Sequence, residues 1–305
     1  MNKIPLKATV AAVLCNVLFG TAIPMIKLGY GFFGISDDLF SKLLYAGIRF
    51  LISGIVVLLI SACMQKRFPL AQKQNWGNLI LLGLTYTFLQ YVFFYMGLSN
   101  TTGAVGSVVS SASVFMSILL AHFIYSDDKL NAKKAVGCVL GFSGVVIACL
   151  AGSGVAHISF VGEGFILLAD AFFVIGSAIN KKASRRDNSF TITAYNLLVG
   201  GFLLIVVGLI GYNGEITVTW QGMLTLAYLI LVSSAGFTIW SLLLRNYPMG
   251  KISVYNFVIP ISGTLFSGLI LRENIFSARY LVALMMVSVG ILIVNYREKE
   301  RGQKS

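Results

Sequence analysis

Glu163, Asp170, Ser177 and Lys181 follow one another at intervals of seven, seven and four residues. At about 100° per residue these intervals bring all four onto one narrow helical face, with Leu167 and Val174 between them. Asp170 stands about ten residues from either end of an apolar run, where an ionised carboxylate in hydrocarbon costs about 2.5 kcal/mol or more. It therefore needs a wet cavity or a partner, and the stripe that carries it must look into a helix bundle. Two readings are open. Asp170 binds a cationic substrate group or a coupling proton, or it makes a structural hydrogen bond that locks helices together.

Arg49 is the second charged group of interest, roughly two turns inside another apolar run. A guanidinium there is suited to holding a substrate carboxylate bidentately, to pairing with Asp170 if the two helices adjoin, or to a snorkelling or structural role. Two more helical faces carry polar and small residues: Gly83, Tyr86, Gln90, Phe94 and Gly97, and then Ser253, Asn256, Pro260, Gly263 and Ser267. Gln90 and Asn256 each offer a donor and an acceptor, while Tyr86, Tyr91, Tyr95 and Trp240 offer aromatic faces to an apolar moiety. With Asn16 and Ser177 these make the substrate-binding or coupling candidates. The small residues Gly103, Gly106, Ser107, Ser110, Ser111 and Ser113 are read as a face for close helix approach. His122, a turn or so before Asp127 and Asp128, is either a proton relay or an interfacial residue.

The elements that must position these groups are set by composition. Of 305 residues, 57% are hydrophobic and 11% charged, against about 25% charged in a soluble globular chain. Runs of about 20 apolar residues, each able to cross about 30 Å of hydrocarbon, fill almost the whole chain. Polar punctuation places ten spans, at 8–29, 41–63, 76–98, 101–125, 133–152, 161–181, 190–212, 221–244, 250–271 and 278–296. The runs are continuous rather than alternating, which favours helices over barrel strands. The fold class expected is an all-α integral membrane protein. The start of the chain, with Lys3 and Lys7 before an apolar run longer than a signal h-region, is read as the first span.

A formal charge of +12 would suggest a nucleic-acid partner in a soluble chain, but here the basic residues form short clusters between spans. If both termini are cytoplasmic, all but five of the 23 Lys and Arg fall on the cytoplasmic side, the exceptions being Lys27, Lys42, Arg49, Arg272 and Arg279. That asymmetry is what the positive-inside rule requires of ten spans. Cys15, Cys63, Cys138 and Cys149 lack metal-ligand spacing and are read as small hydrophobes, so no metal is expected.

The chain also repeats itself. "LLAHFIYSDDKLNAKKAVGCVLGFSGVVI" matches "LFSGLILRENIFSARYLVALMMVSVGILI" at an offset of 146, pairing Asp127 with Glu273, Lys133 with Arg279 and Gly144 with Gly290. Span one matches span six, pairing Asn16 with Asp170 and Lys27 with Lys181. Five spans per copy is an odd number, so the second copy must enter the membrane from the opposite side. The expectation is two inverted five-helix repeats, 1–152 and 153–305, around a central cavity, an arrangement characteristic of secondary transporters.

The sequence resembles the drug/metabolite transporter superfamily in its ten-helix EamA-like branch. The resemblance covers nearly the whole chain and rests on "FGTAIPMIK", "AGIRFLISG", "FFYMGLSNTTGAVGSVVSSASVFMSILLAHFIY" and "WSLLLRNYPMGKISVYNFVIPISGTLFSGLILRE". In the last, Pro260 is followed thirteen residues later by Glu273, as in the family pattern. The first copy has Val114 and Asp127 at the positions of proline and glutamate, which implies a straighter fourth span. The resemblance implies a basket of helices that exports or exchanges small metabolites, with amino acids and related compounds as the first substrate class to consider.

The expected function is therefore a secondary transporter of the cell membrane, with no cofactor and no enzymatic activity, exposing one midplane site to each side in turn. Its partners would be a small-molecule substrate, the lipid bilayer and a proton or counter-substrate. No Gly-rich loop ending in Lys-Ser or Lys-Thr is present, so gradients rather than ATP would drive it. Pro24 frees a carbonyl near Gly20, and Pro260 does the same for span nine, nearer its middle. The two bends are read as hinges of an outer gate or as fixed kinks. Lys27, twenty residues beyond Lys7, is read as a snorkelling end marker. The rival classes are a passive channel or facilitator, a membrane scaffold, and a membrane enzyme, the last poorly served by two distant histidines, His122 and His157.

Overall fold

The computed structural model describes residues 4–35, 38–124, 130–152, 160–212, 214, 216–273 and 278–295. An apolar run in hydrocarbon must satisfy its amides within the segment or within a closed barrel, and among the described residues every regular element is helical. The rods are α1 (Leu6–Phe33), α2 (Leu39–Gln65), α3 (Lys73–Ser99), α4 (Gly103–Ile124) and α5 (Ala132–Gly152). After them come α6 (Phe160–Ala183), α7 (Ser189–Ile210), α8 (Trp220–Asn246), α9 (Met249–Leu271) and α10 (Ala278–Asn295). Among the described residues, α1–α4 and α6–α9 are each long and apolar enough to cross a membrane, and α10 contains the apolar stretch Leu281–Gly290. The chain is thus a multi-pass integral membrane protein.

Helix ends are fixed by local chemistry. Asp38 accepts from Phe40 N at 3.2 Å and Ser41 N at 2.8 Å to start α2, and Asn188 and Thr219 cap α7 and α8 in the same way. Gly34, at φ 61°, closes α1 in the left-handed region that glycine enters without strain. The narrow "LSNTT" division between α3 and α4 is held by two caps. Thr102 Oγ1 accepts from Val105 N at 3.2 Å, and the distant Glu273 carboxylate accepts from Gly103 N at 2.9 Å and Ala104 N at 2.8 Å. Lys27 lies 3.8 Å from that carboxylate and donates to Thr101 O at 2.8 Å. Lys27 is therefore more than a snorkelling end marker, because it ties the end of α1 to the start of α4.

The rods pack in recurring pairs. α2 lies along α7 and α5 along α10, while α1 packs against α8 and α9, and α6 against α3 and α4. Glycine lets the long pairs approach to backbone contact. A Cβ on Gly201 would meet Leu51 N at 2.6 Å, and one on Gly290 would meet Gly137 O at 2.6 Å.

Helix α3 turns π-helical at Gly83–Leu89, and two further rods are interrupted in their first halves. In α9 the residues Val254–Phe257 form a 3₁₀ turn just before Pro260. In α4 the helix breaks at Ser110–Ser111, so the expectation of a straighter fourth span is wrong. The reason lies in serine chemistry rather than proline. Ser111 Oγ donates to Val108 O at 2.5 Å and Ser113 Oγ to Ser110 O at 2.7 Å, while the backbone tightens to Ser111 N–Val108 O and Val114 N–Ser111 O, both 3.1 Å.

The Glu273 cap joins residues far apart in the sequence, so its removal should be felt by the whole fold. Glu273→Ala is expected to lose about 1–2 kcal/mol of stability, with Glu273→Gln keeping part of it, as read by tryptophan fluorescence during thermal unfolding in detergent. An Ala variant as stable as the parent would show that α4 needs no such cap.

Candidate functional site

The two interrupted rods border an internal cavity of about 80 Å³. Its polar lining is Arg49 from α2, Gln90 from α3, Ser110 and Ser113 from the break in α4, and Asp170 from α6. Its walls are aromatic and aliphatic: Phe19, Ala22, Ile23 and Ile26 from α1, Tyr91 and Phe94 from α3, Phe173 from α6, Phe237 from α8 and Ile259 from α9. At about 10–15 Å³ for each water the space holds several water molecules. It is well short of the 300–1,000 Å³ or so of a pocket for a drug-sized ligand.

The stripe on α6 faces inward along its length, as its spacing requires. Glu163 accepts from Thr101 Oγ1 at 2.9 Å, Ser177 Oγ accepts from Trp240 Nε1 at 3.4 Å, and Lys181 donates to Tyr247 O at 2.7 Å. Asp170 is 7% exposed. Its Oδ2 has no hydrogen-bond partner among the described residues.

Arg49 is 1% exposed. Its Nε donates to Ser233 Oγ at 2.9 Å and its Nη1 to Tyr95 Oη at 3.3 Å, and the guanidinium lies 4.5 Å from the Phe50 ring centre and 5.9 Å from that of Tyr91. All these partners are neutral. Among the described residues the ion pair within 4.0 Å is Lys27–Glu273, so Arg49 and Asp170 share a cavity without touching. A guanidinium and a carboxylate held apart across a small space can each take the opposite charge of one bridging ligand.

Of the candidates read from the sequence, Arg49, Gln90, Tyr91, Phe94 and Asp170 meet at this cavity. Tyr86, Ser177 and Trp240 stand behind it: Tyr86 stacks on Phe173 at 5.2 Å and Trp240 packs on the same ring at 5.8 Å. Asn16 is buried in α1, where its Nδ2 donates to Ala12 O at 2.8 Å, and Asn256 is buried on the 3₁₀ turn of α9 with both amide atoms unpartnered among the described residues. Gly20 faces Ser262 and Gly263, where a Cβ would overlap Ser262 Oγ and meet Gly263 N at 2.9 Å. Gly263 in turn faces Ser107, so α1, α4 and α9 meet there nearly backbone to backbone, which is the close approach expected of small residues in α4. Helix α1 runs unbroken through the buried Pro24, and the buried Pro260 follows the turn in α9.

Outside this region, His122 Nδ1 accepts from Leu130 N at 3.0 Å, while Asp127, Asp128 and His157 lie outside the described residues. Cys15, Cys63 and Cys138 are free thiols. Phe19, Phe173 and Phe237, and Arg49's partner Ser233, were not among the site residues expected. Phe173 alone carried a signal, standing one helical turn beyond Asp170.

The profile described as the EamA-like transporter family matches residues 6–150 and again 160–296. "Uncharacterized transporter YetK" of Bacillus subtilis (strain 168) is 26% identical over 84% of this chain and 79% of its own. "Probable amino-acid metabolite efflux pump" of Escherichia coli (strain K12) is 24% identical over 92% of this chain and 93% of its own. "Uncharacterized transporter sll0355" of Synechocystis sp. is 28% identical over 92% and 88%. One solved crystal structure superposes with a TM-score of 0.72 at 15% identity, covering 94% of this chain and 96% of that one, which shows a shared fold.

A buried guanidinium without a carboxylate partner is a burden on the fold that only a ligand relieves. Arg49→Met should therefore leave the melting temperature of the ligand-free protein unchanged or raise it, measured in detergent without substrate. A large loss of stability would mark Arg49 as a structural strut.

Proposed function

Because this chain belongs to the EamA-like transporter family, we propose that it is a secondary transporter of a small zwitterion, an amino acid or a related compound, with the cavity between Arg49 and Asp170 as its binding site. One observation carries the reading: a buried guanidinium and a buried carboxyl group line the same space, and neither has an ionic partner within it among the described residues. A ligand with a carboxylate and an ammonium would satisfy Arg49 and Asp170 together, Gln90 would orient it, and the aromatic walls would receive an apolar side chain.

The transport mechanism proposed is alternating access in ten spans arranged as two inverted halves, 1–152 and 153–305. The double match of the family profile supports the two halves. So does a pair of lysine contacts. Lys27 donates to the carbonyl of Thr101 just before α4, and Lys181 donates to that of Tyr247 just before α9. Thr101 and Tyr247 are 146 residues apart, as are Ser110 in the break of α4 and Asn256 in the turn of α9. The basic clusters support cytoplasmic termini in the cell membrane.

A space of only about 80 Å³ between packed helices favours a carrier over an open channel. In this scheme Gly20, Pro24, Pro260 and Gly263 mark where α1 and α9 separate during opening, and a proton or counter-substrate returns the empty carrier. A membrane enzyme is the weaker reading for a member of a transporter family. Export is favoured by the relative named as an amino-acid metabolite efflux pump.

The test is reconstitution. Thermal-shift screening against amino acids selects a ligand, and counterflow in liposomes follows its labelled form. Saturable counterflow is expected, with Asp170→Asn and Arg49→Lys each reducing it at least ten-fold. Flux that never saturates would make the protein a channel, and an unaltered Asp170→Asn variant would remove that carboxylate from the mechanism.

A further inference from the structure

Helix α2 carries Lys42, Tyr45 and Arg49 at intervals of three and four residues, which places them on one face over about 10 Å of rise. Lys42 is only 3% exposed. The neighbouring elements continue the same column. Lys42 Nζ donates to Ser99 Oγ at 3.0 Å and stands 5.4 Å from the ring centre of Tyr30, and Tyr95, one turn before Ser99 on α3, accepts from Arg49. Tyr30 of α1 fills the middle, 6.1 Å from Tyr45 and 6.2 Å from Tyr95.

Two groups in this column have nothing to do in the closed bundle. The hydroxyls of Tyr30 and Tyr45 are shut off from solvent, and neither has a hydrogen-bond partner among the described residues. The Tyr45 hydroxyl occupies space left by the missing side chain of Gly29, where any Cβ would overlap it. The groups between Arg49 and Lys42 are thus phenols able to donate, with a cation at each end and the Asp38 carboxylate near enough to Lys42 to share its field. Such a column suits an anionic oxygen ligand and is poorly suited to a cation.

We infer that Tyr30, Tyr45 and Lys42 form a second binding station for the carboxylate of the transported molecule, which passes from the guanidinium of Arg49 along the phenols to the ammonium of Lys42 as it leaves the central cavity. The inference rests on the carrier reading above, in which Arg49 holds that carboxylate. It assigns Lys42 to the rate of passage and leaves equilibrium binding in the cavity to Arg49 and Asp170. Substrates without a carboxylate gain nothing from the station.

In liposomes, Lys42→Gln is expected to slow amino-acid counterflow at least ten-fold while the dissociation constant of the same amino acid stays within two-fold of the parent, and Lys42→Arg should restore most of the rate. Tyr45→Phe should slow it less. Proportional losses of binding and rate, or no loss of either, would overturn the inference. A second arm needs no substrate. In a background lacking the native cysteines, Tyr45→Cys should react at least ten-fold faster with a sulfonate-bearing methanethiosulfonate than with its trimethylammonium counterpart, and adding Lys42→Gln should abolish that preference. A cysteine that reacts with neither reagent, or without preference, also overturns it. If the parent protein neither binds nor exchanges any amino acid, the carrier reading falls, and the cysteine arm decides on the anion passage by itself.

Discussion

A hydrocarbon surround offers no hydrogen bonds, so each polar atom in a membrane-spanning chain is satisfied inside the protein or beside a cavity. The architecture follows from this constraint. Backbone amides close on themselves in long helices, and the interruptions at Ser110–Ser111 of α4 and Val254–Phe257 of α9 lie next to residues that line the internal space. At the helix starts the same demand draws on distant residues, as when the Glu273 carboxylate takes the first amides of α4 and brings Lys27 of α1 with it.

Charge obeys the constraint less completely, and there function enters. Arg49 is held by a hydroxyl, a phenol and two aromatic rings, a set that fixes its geometry without neutralising it. Asp170 lines the same cavity with its Oδ2 unpartnered among the described residues. A fold that only had to persist would pair the two or replace both with apolar groups. Keeping them apart is what the zwitterion site proposed for this cavity requires. The glycine contacts among α1, α4 and α9 are nearly backbone to backbone, so a small shift there carries whole helices.

Much of this was legible in the residues. Continuous apolar runs required membrane helices, and an interval of seven between Glu163, Asp170 and Ser177 required their helix to face inward, as it does. The twin of Lys27 at Lys181 was visible as a repeat, and the structure adds that both reach a carbonyl at the start of a neighbouring rod. Val114, by contrast, misled: a missing proline suggested a straight helix, while Ser111 and Ser113 break it by taking carbonyls from the backbone. The effect of a serine depends on the rotamer that packing selects, which a residue type does not disclose.

Sequence alone determined that the chain lives in lipid, that its rods are helical, and that Asp170 and Arg49 must be sheltered, because transfer energies and helical periodicity are properties of one segment at a time. Tertiary structure decided which sheltered groups share a space. It put Arg49 with Asp170 and moved Tyr86, Ser177 and Trp240 behind the wall, and it matched Tyr45 to the gap at Gly29. Those outcomes depend on how helices far apart in the chain approach and rotate against one another, and no single segment encodes that.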